Sequence, residues 1–255
     1  MSSFQHIEKV EEIFDIYLEK LFFNNVLKKR FWEEIICKTN SYIFGGVIVD
    51  FLNKNSNHRD IDIVVENLTE KHLEELKKYR FQRNSFGGYK ITIDNLNIDL
   101  WLLNNTWAIK RNNYLNFDLF KLLPSTAFFS STAIIYAIKE KKLYYKDSFI
   151  QSILNKKIDI IFEENPYPEL CIVKSYQYYL EKYKFSSQLE EYIIKNFIKK
   201  QSALEQIQMK HYGFVKYPMK DLCEFYNKIK ANRETENKVK SNSGISSSQE
   251  QLQLF

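Results

Sequence analysis

The sequence contains little cysteine and no long apolar run. Its three cysteines, Cys37, Cys171 and Cys223, stand far apart, without the paired spacing of a zinc site or the density of a disulfide scaffold. No segment approaches the roughly 18 uninterrupted apolar residues of a membrane span, and the first residues mix charged and apolar side chains, unlike a signal peptide. We therefore expect a cytoplasmic protein with no membrane partner.

The chain also lacks a dense block of one charge. Its 37 Lys and Arg residues are interspersed with 32 Asp and Glu residues, which gives a net charge of +5 at neutral pH. This balance permits a nucleic-acid partner without requiring one. With 255 residues, 44% of them hydrophobic, the chain is long enough to bury one large core or two modest ones.

Periodicity divides the chain into a mixed part and a helical part. Helical spacing from Phe4 to about Lys38 is followed by a strand in SYIFGG, a helix in VIVDFLNK, a strand in RDIDIVV and a helix capped by Thr69. Two strands then meet at Asp94-Asn95, which suits a hairpin turn, and STAIIYAIKEKKLYY and KKIDIIF predict three more strands. This order predicts an α+β fold, with a small mixed sheet that has helices on one side.

The remaining sequence predicts helices and then a tail. The pattern is helical from Pro168 to about Ile229, whereas the last two dozen residues are polar and rich in serine. We expect a head domain at 1–165, a helical domain at 166–231 and a disordered tail at 232–255.

Three aspartates stand in strands that are otherwise apolar. Asp60 and Asp62 should project from one face of their strand, because successive side chains alternate between faces. Asp99, in NIDLW, can complete the group from a neighbouring strand. Adjacent carboxylates repel each other unless a cation lies between them, and oxygen ligands of this kind suit Mg²⁺.

A glycine pair precedes the aspartates at a predicted strand-to-helix turn. At Gly45 and Gly46 the missing side chains would let a phosphate approach the backbone. Alone, the pair is more often an ordinary turn, but with the three aspartates it predicts a catalytic site. Lys90 and Arg59 flank this site and either contact phosphate or remain solvated charges.

The order of these motifs matches a known pattern. FGGVIVDFLNKNSNHRDIDIVV followed by NIDLW resembles the polymerase-β-type nucleotidyltransferase superfamily, and within it the head domain of class II poly(A) polymerases and CCA-adding enzymes. The resemblance covers residues 41–103. It implies a nucleotidyl transfer from a nucleoside triphosphate with two Mg²⁺ ions, held by Asp60, Asp62 and Asp99. It also implies that Gly45 and Gly46 cradle the β- and γ-phosphates and that Asp50 stands at the first aspartate of the family motif, with a nucleic-acid 3′ end as the acceptor. Together with the flanking Arg59 and Lys90, these residues form the predicted nucleotide-binding set.

Two departures from that family limit what the resemblance implies. FFSST stands where the polymerases carry an Arg-Arg-Asp-Phe-Thr run, and Lys174, Gln177 and Tyr178 replace the Arg-rich face of the neck helix. Because those positions read the incoming base in the family, its selectivity for CTP and ATP does not carry over. The helical part is also too short to grip a whole tRNA, so the sequence argues against a standard CCA-adding enzyme.

The last residues form a separate motif. QLQLF resembles the peptide by which polymerases and repair proteins dock on the DNA sliding clamp, with Gln251, Leu252, Leu254 and Phe255 at the key positions. The alternatives are that these residues fold back on the protein or that so short a match arose by chance.

Two other functions remain open at the level of sequence. The same glycine and aspartate segment resembles aminoglycoside and lincosamide adenylyltransferases, so the acceptor could be a small molecule or a protein. A non-catalytic module tethered to the clamp is the third reading. The tail and the basic balance favour the nucleic-acid acceptor, and the intact set of aspartates argues against a lost activity.

Overall fold

The computed structural model describes residues 3–55, 60–84, 87–112 and 118–250; of residues 3–8 and 236–250 it describes only the backbone. The chain separates into two compact units. The first comprises Met1–Asn155 and Ile161–Glu164, and the second comprises Lys156–Ile160 and Asn165–Phe255. The functional division of the chain into head, helical domain and tail stays a prediction.

The first unit is built on a seven-stranded mixed sheet. The strands lie in the order β3-β4-β5-β2-β1-β6-β7, and every neighbouring pair is antiparallel except β2 and β5. The strands are β1 Ser41–Phe44, β2 Ile61–Val65, β3 Arg80–Arg83, β4 Tyr89–Ile93, β5 Leu96–Leu102, β6 Ile134–Ala137 and β7 Lys142–Tyr145. The helices are α1 Ser3–Phe23, α2 Val26–Phe31, α3 Gly46–Leu52, α4 Glu70–Leu76, α5 Trp107–Asn112, α6 Leu119–Leu122 and α7 Asp147–Asn155, with a π-helical turn at Trp32–Ile36. This architecture confirms the predicted α+β class.

Local chemistry explains where several of these elements begin. Asn25 caps α2 by accepting hydrogen bonds from the N–H groups of Leu27 and Lys28. Thr69 caps α4, as its position in the sequence predicts, and it also forms a capping box with His72. In the β4–β5 hairpin Asp94 adopts a φ of +56°, the left-handed conformation that Asp tolerates in tight turns.

The two faces of the sheet are covered unequally. On β2, Ile61, Ile63 and Val65 join a larger core, whereas Val64 joins a smaller cluster on the opposite face. The larger core packs the sheet against the longer helices, and its members include Phe14, Leu18, Phe22, Phe31, Ile35, Ile43, Ile48, Ile91, Ile98, Leu100 and Tyr136. The smaller cluster consists of Tyr42, Val64, Leu103, Ile109, Leu123, Ile135 and Ala137, with α5 and α6 beside it.

The second unit is mainly helical. Its helices are α8 Pro168–Leu180, α9 Ser187–Lys200, α10 Leu204–Tyr212 and α11 Met219–Glu250. The strand predicted in KKIDIIF forms at β8 Lys157–Ile158, but it pairs with β9 Lys184–Phe185 instead of joining the larger sheet. The backbone of α11 continues through the serine-rich segment, and the disorder predicted for the tail stays a prediction.

None of the helices is long and apolar enough for a membrane span, within the residues that the structure describes.

Candidate active site

Asp62 and Asp99 lie side by side on the one parallel strand pair of the large sheet. The register of β2 and β5 places Asp62 opposite Asp99, and neighbouring strands are about 4.8 Å apart. Both carboxylates are half-buried, while the residues before and after each of them are buried in the larger core. The strand alternation therefore brings the two aspartates to the less covered face of the sheet.

Lys90 extends this row onto a third strand. In the antiparallel pairing of β4 and β5, Lys90 stands opposite Asp99, and its neighbours Tyr89 and Ile91 are buried in the larger core. Asp62, Asp99 and Lys90 consequently share one face. The row presents two negative charges and one positive charge to any group that binds above it.

Asp60 lies just before the strand that carries Asp62. It directly precedes β2, which begins at Ile61, so Asp60 lies outside the strand although the predicted strand RDIDIVV includes it. Asp60 is half-buried and lies two residues from Asp62. Within the described residues no group of three or more His, Cys, Asp or Glu side chains stands close enough to hold a metal ion. The predicted site of three carboxylates, Asp60, Asp62 and Asp99, therefore stays a prediction.

The two glycines of the strand-to-helix turn have different surroundings. A Cβ atom on Gly45 would lie 2.4 Å from the carbonyl oxygen of Thr132 and 2.8 Å from its Cβ, so this position admits no side chain. Gly46 is exposed, and among the described residues a Cβ atom there would approach only Asp62 Oδ2, at 4.0 Å. The turn therefore packs closely at Gly45 and leaves space above Asp62 at Gly46.

The segment FFSST packs against this turn. Ser130–Thr132 forms a short 3-10 turn that packs against Gly45, and Gly45 donates its N–H to the carbonyl of Ile134 at 3.0 Å. From the sequence, this segment is recognisable only as a departure from the polymerase pattern. Its role in positioning the glycines has no signal in the sequence, because it arises from contact between residues nearly 90 positions apart.

A buried lysine supports the hairpin that carries Asp99 and Lys90. The Lys28 side chain is almost fully buried; its Nζ donates to Asn95 Oδ1 at 3.0 Å and lies 3.6 Å from Asp94 Oδ2. Since both partners form the β4–β5 turn, Lys28 anchors that turn to α2. Sequence reasoning missed this residue, because a lysine on a helix ordinarily reads as a solvated charge.

Two aromatic residues border the carboxylates on the same face. The rings of Phe44 and Trp101 have centroids 6.4 Å apart, and both residues pack against the smaller cluster. Trp101 Nε1 donates to Thr106 Oγ1 at 3.1 Å, and a Cβ on Gly88 would lie 2.9 Å from Trp101 Cβ. These contacts favour packing, the more common role of aromatic residues beside a strand, over base stacking.

The remaining predicted residues are Asp50, Arg59 and the residues of the terminal peptide. Asp50 lies in the last turn of α3, where Asn55 Nδ2 donates to its Oδ1 at 3.0 Å. Burial, together with the charge of Asp50, raises the pKa of Tyr17 on α1. Arg59 and the predicted clamp-binding residues Gln251, Leu252, Leu254 and Phe255 lie outside the described residues. The roles assigned to all of them stay predictions.

Solved structures with similar folds include enzymes that act on tRNA. A CCA-adding enzyme solved with CTP superposes with a TM-score of 0.59 at 15% identity, over 88% of this chain and 55% of that one. A tRNA-processing enzyme with CTP gives 0.55 at 17% identity, over 78% and 55%. The Thermotoga maritima CCA-adding enzyme complexed with tRNA gives 0.55 at 14% identity, over 79% and 48%.

The similarity lies in the fold and not in the sequence. No family model matches the chain, and no curated protein is significantly similar to it. The chain spans about half the length of the structures that it resembles. The chain thus shares its fold with part of the CCA-adding and tRNA-processing enzymes.

Proposed function

We propose that this chain is a Mg²⁺-dependent nucleotidyltransferase that transfers a nucleoside monophosphate from a nucleoside triphosphate to the 3′ end of a nucleic acid. The observation that carries the proposal is the register of Asp62 with Asp99, below the open space at Gly46. Two carboxylates beside a turn without side chains suit a metal-bound triphosphate.

The donor set fits hard divalent cations. Asp62 and Asp99 would hold Mg²⁺ between neighbouring strands, and Asp60, just before β2, would complete the oxygen ligands. Two such ions would withdraw charge from the triphosphate and lower the pKa of the attacking hydroxyl. Lys90, beside Asp99, offers a further positive charge for phosphate oxygens.

The transfer would then proceed by in-line displacement. The acceptor hydroxyl oxygen forms a bond to the α-phosphorus, the bond from that phosphorus to the β-phosphate bridging oxygen breaks, and pyrophosphate leaves. The hydroxyl proton passes to solvent. Gly46 would let the triphosphate approach the backbone at the start of α3, where N–H groups stabilise its charge without a side chain in the way. Gly45, packed against Thr132, would hold the turn in place.

The comparisons favour RNA as the acceptor. The similar structures include CCA-adding enzymes solved with CTP, with ATP and with tRNA. The net charge of +5 is compatible with a polyanionic acceptor. We therefore place RNA before DNA among the acceptors to test, and a small molecule such as an aminoglycoside after both.

A labelling experiment tests this proposal directly. The full chain is incubated with Mg²⁺ and each α-labelled nucleoside triphosphate, against single-stranded RNA, single-stranded DNA and a panel of aminoglycosides and lincosamides. We expect label on the RNA, no label after chelation with EDTA, and no label when periodate has destroyed the RNA 3′ diol. Label on an antibiotic alone would establish the small-molecule alternative, and no transfer to any acceptor would refute the proposal.

We also propose that the terminal QLQLF peptide brings the enzyme to the sliding clamp. The support is the spacing of Gln251, Leu252, Leu254 and Phe255, which offers apolar side chains and a glutamine to a groove. A pull-down with purified clamp should retain the full chain and lose a variant with Leu254 and Phe255 replaced by alanine. Equal retention of both chains would contradict docking through this peptide.

A further inference from the structure

A cluster of aromatic and basic side chains surrounds the loop between α10 and α11 in the second unit. The helix α10 ends at Gly213, which adopts a left-handed φ of +82° and donates its N–H to the carbonyl of Met209. This turn sends the next residues outward, so that the side chains of Phe214 and Val215 are 57% and 39% exposed. We call Lys210, His211, Tyr212, Phe214, Val215 and Lys216 the loop patch.

The lysines of the loop patch lie over aromatic rings. Lys216 Nζ is 5.2 Å from the ring centroid of Tyr212 and 5.1 Å from that of Tyr217. Lys210 Nζ is 4.8 Å from the ring centroid of Tyr167 and 3.4 Å from its hydroxyl oxygen. Cation–π contacts of this kind hold the long lysine side chains in place while their ammonium groups stay in water.

The aromatic rings of the loop patch form a short series. The His211 and Tyr212 ring centroids are 4.6 Å apart, and those of Tyr212 and Phe214 are 6.5 Å apart. Phe214 stands at the exposed end of this series. Phe214 therefore offers an exposed, flat apolar surface in the same short segment as Lys210 and Lys216.

A buried glutamine fixes the loop that carries Phe214. Gln208 accepts a hydrogen bond from the backbone N–H of Tyr217 at 2.7 Å and donates to the Tyr217 carbonyl at 3.1 Å. It also donates to the carbonyl of Leu204 at 3.2 Å, within α10. Because Gln208 is fully buried, these bonds tie the far end of the loop to α10.

The charge of this segment has a single sign. Residues 206–220 contain Lys210, Lys216, Lys220 and His211 but no Asp or Glu. The flanking acids, Glu205 and Asp221, stand in the first turns of α10 and α11, where the helix dipole favours a negative charge. The loop patch is thus complementary to a polyanion that also has apolar flat faces.

We propose that the loop patch binds single-stranded nucleic acid, with Phe214 stacking on a base and Lys210 and Lys216 contacting phosphates. Stacking platforms between positive charges are the usual means of holding a single strand without reading its sequence. The inference deepens the proposed function, because it assigns a surface of the second unit to the acceptor strand.

Binding is measurable without any catalysis. Fluorescence anisotropy of the full chain with a labelled single-stranded RNA about 12 nucleotides long, in the absence of nucleotide and Mg²⁺, reports RNA binding without transfer, and the variants below assign that binding to the patch. We expect Phe214→Ser to weaken binding at least about fivefold, since one stacked base is lost. The double variant Lys210→Gln and Lys216→Gln should reduce the salt slope of log Kd by about 1.4, or about 0.7 for each lost phosphate contact.

Matched controls come from α9, which contributes no residue to the loop patch. Ile198→Ser and Lys199→Gln remove an exposed apolar side chain and an exposed charge there, and should leave RNA affinity unchanged. Unaltered binding of the Phe214→Ser and lysine variants would overturn the inference, as would equal losses in the α9 controls. Weakened RNA binding in the patch variants of a chain without transferase activity would support the loop patch and refute only the proposed function.

Discussion

The two faces of the seven-stranded sheet are made by the same strands but have different surroundings. On β2 and β5, Ile61, Ile63, Ile98 and Leu100 are fully buried in the larger core. Between them, Asp62 and Asp99 reach the other face, which the smaller cluster covers only in part. The buried apolar residues therefore keep the strands in register, and that register places the two aspartates side by side.

This difference separates stability from chemistry within single strands. Apolar side chains gain free energy in proportion to the area that they bury, so the larger core stabilises the sheet. A carboxylate gains nothing from burial, and two of them in one row weaken the fold unless a cation offsets their repulsion. Substitutions in the larger core should consequently lower the free energy of unfolding, whereas substitutions of the aspartates should lower nucleotide transfer.

The largest effect should come from Asp62→Asn on the partly covered face. Asparagine keeps the size of the side chain but removes its charge, so we expect nucleotide transfer to fall by at least about 10³-fold. Thermal unfolding should change little, because no buried apolar contact is lost. Asp147→Asn, at an exposed acid in the first turn of α7, should retain full transfer. Near-normal transfer by the Asp62→Asn variant would show that Asp62 is not part of the active site.

Ile63→Ala tests the adjacent position on the opposite face. Removing a fully buried isoleucine side chain should cost about 2–5 kcal/mol of the free energy of unfolding, measured by urea denaturation. Transfer per folded molecule should stay close to that of the unaltered chain, because Asp62 and Asp99 keep their register. If transfer per folded molecule instead fell as it does in Asp62→Asn, the two faces would not be separable.

The two glycines after β1 also differ in this way: Gly45 is packed, whereas Gly46 faces the space above Asp62. Gly45→Ala forces a methyl group against Thr132 and should cost about 1–3 kcal/mol of unfolding free energy. Gly46→Ala meets no such contact and should leave stability unchanged or slightly higher, because alanine favours helix. Its methyl group points into the space above Asp62, so transfer should fall about tenfold or more. Similar stability for the two variants in chemical denaturation would contradict the packing at Gly45.

Periodicity and turn chemistry carry most of what the sequence predicts correctly. The alternation in RDIDIVV places Asp62 and Ile63 on opposite faces, and the Asp94-Asn95 pair gives the hairpin that brings Lys90 opposite Asp99. Thr69 marks the beginning of α4. Each of these features depends on residues within a few positions of one another, so local sequence is enough to predict them.

Contacts between distant segments are the part that the sequence does not predict. The packing of Thr132 on Gly45 and the hydrogen bond from Lys28 to Asn95 join residues 87 and 67 positions apart. β3 is missed because all four of its residues are exposed, and α5 and α6 are missed because they are too short for a helical period to appear. The strand at Lys157–Ile158 is found but its partner is not, since pairing depends on the fold of the second unit.

The smallest effect should come from Tyr79, a polar group on the well-packed side of the sheet. Its hydroxyl is buried and has no hydrogen-bond partner among the described residues, whereas the hydroxyl of Tyr136, also in the larger core, donates to Asp15 at 3.0 Å. Tyr79→Phe should therefore leave the free energy of unfolding unchanged or raise it by up to about 1 kcal/mol, whereas Tyr136→Phe should lower it by about 1–2 kcal/mol.

The pH dependence of stability distinguishes Tyr79 further. Burial, aided by the charge of Glu75 and opposed by Arg30, raises the pKa of Tyr79 to about 12 in the folded chain, against about 10 when unfolded. Between these values the unfolded chain loses the phenolic proton while the folded chain keeps it, so stability falls as pH rises. In urea denaturation from about pH 9 to about pH 11.5, Tyr79→Phe should lose stability less steeply than the unaltered chain. Parallel slopes would show that the Tyr79 hydroxyl ionises as readily in the folded chain as in the unfolded one, and that this side of the sheet is less tightly closed than its packing indicates.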